Sequence, residues 1–124
     1  MTPFTPILRH AVERVPGALG AIFADWDGEA VESVTNGGST TAKDDLALLA
    51  AHYVVILHHV QGLLHLTHFG EAEEIILLHQ KVDLIVRAVD KDYFVVLVAT
   101  AGAHLATALR EASALASALR AEIA

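Results

Sequence analysis

Residues 15–34 read VPGALGAIFADWDGEAVESV, a helix end followed by a strand, a tight turn and a second strand. Pro16 and Gly17 end the preceding helix, because proline cannot continue a helix and glycine accepts the conformation that follows its last turn. The apolar run over 18–24 predicts one strand, and the mixed pattern over 30–34 predicts a second. Between them lies an acidic turn with Gly28, which is free to take a positive φ. The stretch therefore predicts a small sheet domain opened by one helix, with no catalytic signature in its hairpin.

The composition indicates a single folded domain over residues 1–124. Apolar residues make up 54% of the chain, which excludes a disordered protein, and the length suits one core but not two. A net charge of −7 and scattered Lys and Arg residues argue against nucleic-acid binding, and the absence of cysteine excludes disulfides and thiolate chemistry. Because we find neither a signal peptide nor a long uncharged apolar span, we expect a cytoplasmic protein that does not insert into membranes.

The remaining elements follow from local patterns. We expect Thr5 to cap the first helix with Pro6 in its first turn, and a helix over 43–67 to begin with a capping box of Thr41 and Asp44. Runs over 73–79, 84–89 and 93–99 predict three strands, which short polar turns make antiparallel neighbours. The last of these strands is apolar on both faces, as a central strand is, and a closing helix is expected over 103–123. The predicted fold class is α+β: a five-stranded antiparallel sheet flanked by helices, in the order α-β-β-α-β-β-β-α.

This order resembles the Roadblock family of dynein light chains, which includes prokaryotic partners of small GTPases. The resemblance rests on the opening helix that ends in VPGALGAIFAD, the DWDGE turn, the long Leu- and Ala-rich helix, and YFVVLVA followed by AGAHLATALRE. It spans nearly the whole chain. The resemblance implies a homodimer formed through the long helix and the strand after it, with the first and last helices together on the other face of the sheet. It also implies a non-enzymatic module, without cofactor, that binds a small Ras-like GTPase and scaffolds it or modulates its nucleotide cycle.

The long helix has two apolar sides at 100° per residue. One is expected to face the sheet: Leu46, Leu49, Tyr53, Ile56, Leu57, Val60, Leu63 and Leu64. The opposite side carries no charge and includes a glycine, so it needs a second partner. We expect this side and the following strand to form a dimer interface that contains Leu48, Ala51, His52, Val55, His59, Gly62, Leu66, Ile76 and Leu78. The alternative is that the closing helix covers this side within one chain.

The acidic hairpin turn offers a possible partner contact. Trp26 and Asp27 lie at its tip, where an exposed aromatic side chain beside carboxylates suits recognition of another protein. The alternative, equally compatible with the sequence, is that Trp26 folds back onto the sheet.

Enzyme signatures are weak. We find no nucleophile elbow, zinc-protease motif or dinucleotide motif, and the loop over 37–43 departs from a phosphate-binding loop because Ala42 precedes its lysine and Asp44 follows it. His58, His65 and His68 have helical spacing, but no carboxylate lies between Asp45 and Glu71 to complete a metal site. We therefore expect no catalytic and no metal-binding residues.

Two further hypotheses stay open beside the GTPase partner. One is a small-molecule sensor with a pocket between the sheet and its helices. The other is a metal-dependent enzyme, which rests on the histidine excess alone. For a GTPase partner, Arg87 falls within a strand and Arg110 and Arg120 fall on a helix, so none has the setting of an arginine finger.

Overall fold

The computed structural model describes residues 2–36, 43–70, 72–102 and 104–124. In the long helix the backbone alone is described for Lys43, Asp44, Leu46, Ala47, Ala50, Ala51, Val54, Val55, His58 and His65. The elements are α1 (Thr5–Arg14), β1 (Ala18–Asp25), β2 (Ala30–Thr35), α2 (Lys43–Thr67), β3 (Glu74–Leu78), β4 (Val82–Ala88), β5 (Tyr93–Thr100) and α3 (Leu105–Ile123). The predicted fold class and element order are confirmed.

The five strands form one antiparallel sheet in the order β2-β1-β5-β4-β3. The three hairpins β1–β2, β3–β4 and β4–β5 arise from short turns, whereas β1 pairs with β5 across the middle of the sheet. Residues 94–99 of β5 are buried throughout, so the prediction of a central strand covered on both faces is confirmed.

The sheet separates two hydrophobic cores. On one face α1 and α3 pack together over Phe23, Ile85 and Leu97. On the other face α2 inserts Leu57 among side chains that include Ile22 and Phe94. Because α3 lies on the face opposite α2, it does not cover the second side of α2, and that alternative is wrong.

Two local predictions need correction. Thr5 is the first helical residue and not the cap, since Phe4 holds the cap position without a side-chain hydrogen bond. Strand β4 begins at Val82, because Asp83 is buried and its Oδ2 accepts a hydrogen bond of 3.1 Å from the backbone N–H of Gly102. That bond ties the start of β4 to the turn before α3, a contact between residues that are distant in sequence.

Two further points concern the loop before α2 and the hydropathy of the helices. Residues 37–42 and the side chains of Lys43 and Asp44 lie outside the described part, and with them the predicted capping box of Thr41 and Asp44 and the phosphate-loop comparison over 37–43. None of the helices among the described residues is long and apolar enough to cross a membrane.

Candidate interaction surface

The outward side of α2 carries an exposed row of six residues, here called the outer stripe. They are Leu48, His52, Ile56, His59, Leu63 and Leu66, spaced by four, four, three, four and three positions. The four aliphatic side chains are between 47% and 75% exposed, and both histidines are exposed as well. Residues 46–67 include no Asp, Glu, Lys or Arg. Steps of three and four place such residues in line, as on a helix that packs lengthwise against another helix.

Two members of the outer stripe were predicted to face the sheet, and that prediction is wrong. Ile56 and Leu63 are exposed, whereas Leu57 is 1% exposed and marks the direction of the sheet. At 100° per residue, Ile56 lies about 100° and Leu63 about 120° away from Leu57 around the helix. The sheet-facing assignment is confirmed for Leu49, Tyr53 and Leu57, which pack into or against the core.

On the predicted far side of α2, every residue whose exposure is described lies on the surface. Leu48, His52, His59, Gly62 and Leu66 are all exposed. A Cβ atom added at Gly62 would meet no other atom within 4 Å, so the surface is open there. The side chains of Ala51 and Val55 lie outside the described part of the structure. Exposure makes this side available to a partner, while its role as an interface stays a prediction.

Phe69 extends the apolar surface past the end of α2. It is 81% exposed and sits between His68 and Gly70, both of which have positive φ, 59° and 87°. The sequence analysis did not single out Phe69, although its place beside Gly70, a turn residue, could have indicated an exposed position in a loop.

Hydrogen bonds fix α2 to both ends of β3. The Gln61 side chain donates to the carbonyl of Ala72 at 3.2 Å and accepts from its backbone N–H at 3.0 Å. At the other end of the strand, the hydroxyl of Tyr53 lies 2.5 Å from Nε2 of His79. These bonds tie α2 to the residues on either side of β3, and the sequence does not single out Gln61 or Tyr53 among the polar side chains of the helix.

Strand β3 is an edge strand, as the dimer prediction requires, since it pairs with β4 alone among the described residues. Ile75 and Leu77 pack toward α2, so Ile76 and Leu78 point to the opposite face, where they are 40% and 67% exposed. The predicted interface is thus split between the two faces of the sheet. A single partner reaches both parts only if it also runs along the open edge of β3.

Comparison with solved structures identifies the architecture. The gliding protein MglB from Thermus thermophilus is 20% identical, matches 98% of this chain and 90% of its own, and superposes with a TM-score of 0.86. A Roadblock/LC7 domain from Streptomyces avermitilis is 16% identical over 94% of each chain, with a TM-score of 0.81. An MglB with a tetrameric arrangement is 19% identical over 95% of this chain and 85% of its own, with a TM-score of 0.86. The chain has the Roadblock/LC7 fold. No protein-family model matches the sequence, and no curated protein matches it either.

The hairpin turn of this Roadblock/LC7 fold is ordered by its own acidic residues. Oδ1 of Asp25 accepts hydrogen bonds of 3.0 Å from the backbone N–H groups of Asp27 and Glu29, and Gly28 takes a φ of 90°. The Trp26 ring lies 4.8 Å from that of Phe94, between centroids. Of the two alternatives for Trp26, the structure therefore shows the ring folded onto the sheet, and only Asp27 of the pair is exposed.

Two of the arginines considered for GTPase chemistry already make contacts within the chain. Nη1 of Arg87 is 3.7 Å from Oε1 of Glu74, and Nε of Arg120 donates to the carbonyl of Val89 at 2.7 Å. Oε1 of Glu74 is buried and has no hydrogen-bond partner within the described residues. Its distance from Arg87 is slightly longer than a hydrogen bond, so the two side chains interact as an ion pair.

The paired layers of the fold bear on the metal-site and the sensor-pocket hypotheses. No three His, Asp or Glu side chains in the described part come together in a group that could hold a metal ion. The side chains of His58 and His65 lie outside that part, and His68 is exposed. A cavity of about 540 Å³ lies between α1 and α3, on the outside of that layer, and not between the sheet and a helix as the sensor hypothesis expected.

Proposed function

We propose that the chain is a non-enzymatic interaction module that pairs with a second copy through the outer stripe and binds a small Ras-like GTPase. In this role it scaffolds the GTPase or modulates its nucleotide cycle. The observation that carries the proposal is the outer stripe itself. Single exposed leucines are ordinary on protein surfaces, but an exposed row in which four of six side chains are aliphatic and none is Asp, Glu, Lys or Arg favours a contact surface.

The spacing of the outer stripe supports pairing with an identical helix. A two-fold axis between Ile56 and His59 reverses the second helix and sets these two residues against each other. The same axis sets Leu48 against Leu66 of the second copy, and His52 against Leu63. Every pair then contains at least one aliphatic side chain and buries no formal charge, which is the self-complementarity that a two-fold interface needs. This argument favours a homodimer over a heterodimer.

Strand β3 supports the same arrangement. Its open edge offers unpaired backbone groups and the exposed side chains of Ile76 and Leu78, and no proline or charge protects residues 75–78. Because Gln61 and Tyr53 hold β3 beside α2, two copies that meet along α2 bring their β3 edges close to the same two-fold axis. Edge pairing would join two sheets into one.

The GTPase partner is supported by the fold together with the sequence resemblance, which implies partners of this class. The chain lacks a nucleophile or cofactor motif of its own. Arg87 and Arg120 make contacts within the chain, so neither is placed to act as a supplied arginine. Any faster hydrolysis is proposed to come from repositioned groups of the GTPase.

Sedimentation equilibrium tests the homodimer. The wild-type protein should be a dimer at micromolar concentration, and Leu63→Glu should be a monomer, because an unpaired charge buried in the interface costs about 3 kcal/mol or more, at least a hundredfold in affinity. Ile123→Glu is the matched control, since Ile123 is a partly exposed aliphatic residue on α3, in the other layer. An unchanged dimer for Leu63→Glu would remove the outer stripe from the interface.

Calorimetric titration tests the GTPase partner. The most informative ligand is a small Ras-like GTPase encoded next to this chain, loaded with GDP or with a non-hydrolysable GTP analogue. We expect binding whose affinity depends on the nucleotide. A dimer that binds neither form would refute the GTPase assignment and leave the homodimer standing.

A further inference from the structure

The groove between α1 and α3 is a second site, separate from the outer stripe. Its volume is about 540 Å³, within the range of small-molecule sites, which is about 300–1,000 Å³. Ile7, Ala11, Ala114 and Ala118 line it, so its walls are mostly aliphatic. The small side chains of the alanines leave space that longer residues would fill.

An ion pair between an exposed arginine and a buried glutamate lies in this groove. Glu111 is only 7% exposed, and its Oε1 accepts a hydrogen bond of 3.0 Å from Nε of Arg14. The Arg14 side chain is 57% exposed, and its two terminal nitrogens have no hydrogen-bond partner among the described residues. Because Glu111 holds the guanidinium from one side, these terminal N–H groups are fixed in place and available to an acceptor.

The cation and the aliphatic walls together define a ligand. We propose that the groove binds an aliphatic monocarboxylate of medium chain length, with its carboxylate on Arg14 and its chain along Ile7 and the alanines. Paired hydrogen bonds from a guanidinium to a carboxylate fix its orientation, and His10 adds a further polar group to the lining.

The dimensions of the groove favour a small molecule over a peptide helix. The lining residues of α1 run from Pro6 to Arg14, which at 1.5 Å per residue is a length of about 12 Å. An average protein helix is about 17 Å long and would extend beyond both ends. The groove lies in the α1/α3 layer, so occupation leaves the outer stripe free and the proposal does not depend on the GTPase.

The test is a titration of the ¹⁵N-labelled protein with octanoate, followed by amide and Arg side-chain chemical shifts, with octanol as the uncharged probe. We expect saturable shifts in α1 and α3 and at Arg14 Nε, with octanoate binding about tenfold more tightly than octanol.

Ala118→Leu should abolish binding of both probes by filling the groove. The double variant Arg14→Gln/Glu111→Gln replaces the ion pair by a neutral amide pair, so it should fold and lose the preference for octanoate. Arg9→Gln, an exposed arginine on α1 outside the groove, is the control and should bind like the wild type.

Several outcomes would overturn the proposal. Equal affinities for octanoate and octanol, or an unchanged preference in the double variant, would show that Arg14 does not recognise a carboxylate. Shifts confined to α2 would place the ligand on the outer stripe. A lower association state of Ala118→Leu in sedimentation would show that a second copy of the chain occupies the groove, and tighter binding of an amphipathic helical peptide would show that a partner helix does.

Discussion

Leu57 is the one buried side chain of α2 among those that the structure describes, and its truncation tests the core on that face of the sheet. It is 1% exposed and packs in the cluster that contains Ile22 and Phe94. Leu→Ala at such a position costs about 2–5 kcal/mol, from lost burial and from the cavity left behind, and we take about 3 kcal/mol here. At about 2.1 cal/mol/K per residue, 124 residues give an unfolding entropy of about 0.26 kcal/mol/K, so Leu57→Ala should lower Tm by about 12 °C.

Leu66→Ala is the matched control on the same helix. Leu66 is 75% exposed, so its truncation should change the free energy of unfolding of one chain by no more than about 0.5 kcal/mol. Urea unfolding followed by circular dichroism at low and at high protein concentration separates the two effects. Leu57→Ala should lose the same free energy at both concentrations, whereas any loss from Leu66→Ala should appear only where the dimer forms. Equal losses at low concentration would show that α2 faces the sheet with a different side.

Three smaller predictions concern individual contacts. Tyr53→Phe should lower the free energy of unfolding by about 1–2 kcal/mol, because it leaves Nε2 of His79 without its partner, and an unchanged urea midpoint would count against that bond. Gln61→Leu should speed hydrogen exchange of the amides of β3, while Gln61→Glu, which keeps the acceptor, should have a smaller effect. Equal exchange rates in the wild type and both variants would show that Gln61 does not stabilise β3. Gly28→Ala should lower the free energy of unfolding by about 1–2 kcal/mol because the φ of Gly28 is 90°. Gly62→Ala should raise it by up to about 1 kcal/mol in one chain, because Gly62 lies on open helix surface. A Tm that is higher for Gly28→Ala than for Gly62→Ala would contradict both expectations.

The fold was predictable because local signals agreed with one another. Pro16, Gly17 and Gly28 mark the ends of the first elements, and short polar turns leave only antiparallel pairing for the later strands. The errors lie at boundaries decided by distant contacts. Asp83 reads as a turn residue, yet it is buried within β4 because Gly102 supplies its hydrogen-bond donor.

The surface of α2 was harder to predict than its existence. A helix with apolar residues on all sides and no charge over 46–67 has no charged boundary to show where the sheet contact ends, so the pattern assigns Ile56 and Leu63 to the wrong side. The groove between α1 and α3 was not predicted either, because the pairing of Arg14 with Glu111 joins residues that are 97 positions apart. Such contacts depend on how the layers are stacked, which no local pattern contains.

Cross-linking of single-cysteine variants is the most direct test of the central claim that the outer stripe pairs with its copy. The chain has no cysteine, so each variant carries one reactive thiol. His59→Cys lies next to the proposed two-fold axis and should form a covalent dimer rapidly with a short bismaleimide, while Leu48→Cys, far from the axis, should not link to its own copy. Efficient cross-linking of Leu48→Cys with none for His59→Cys would contradict antiparallel pairing of α2, and no cross-linking of either variant would contradict pairing through the outer stripe.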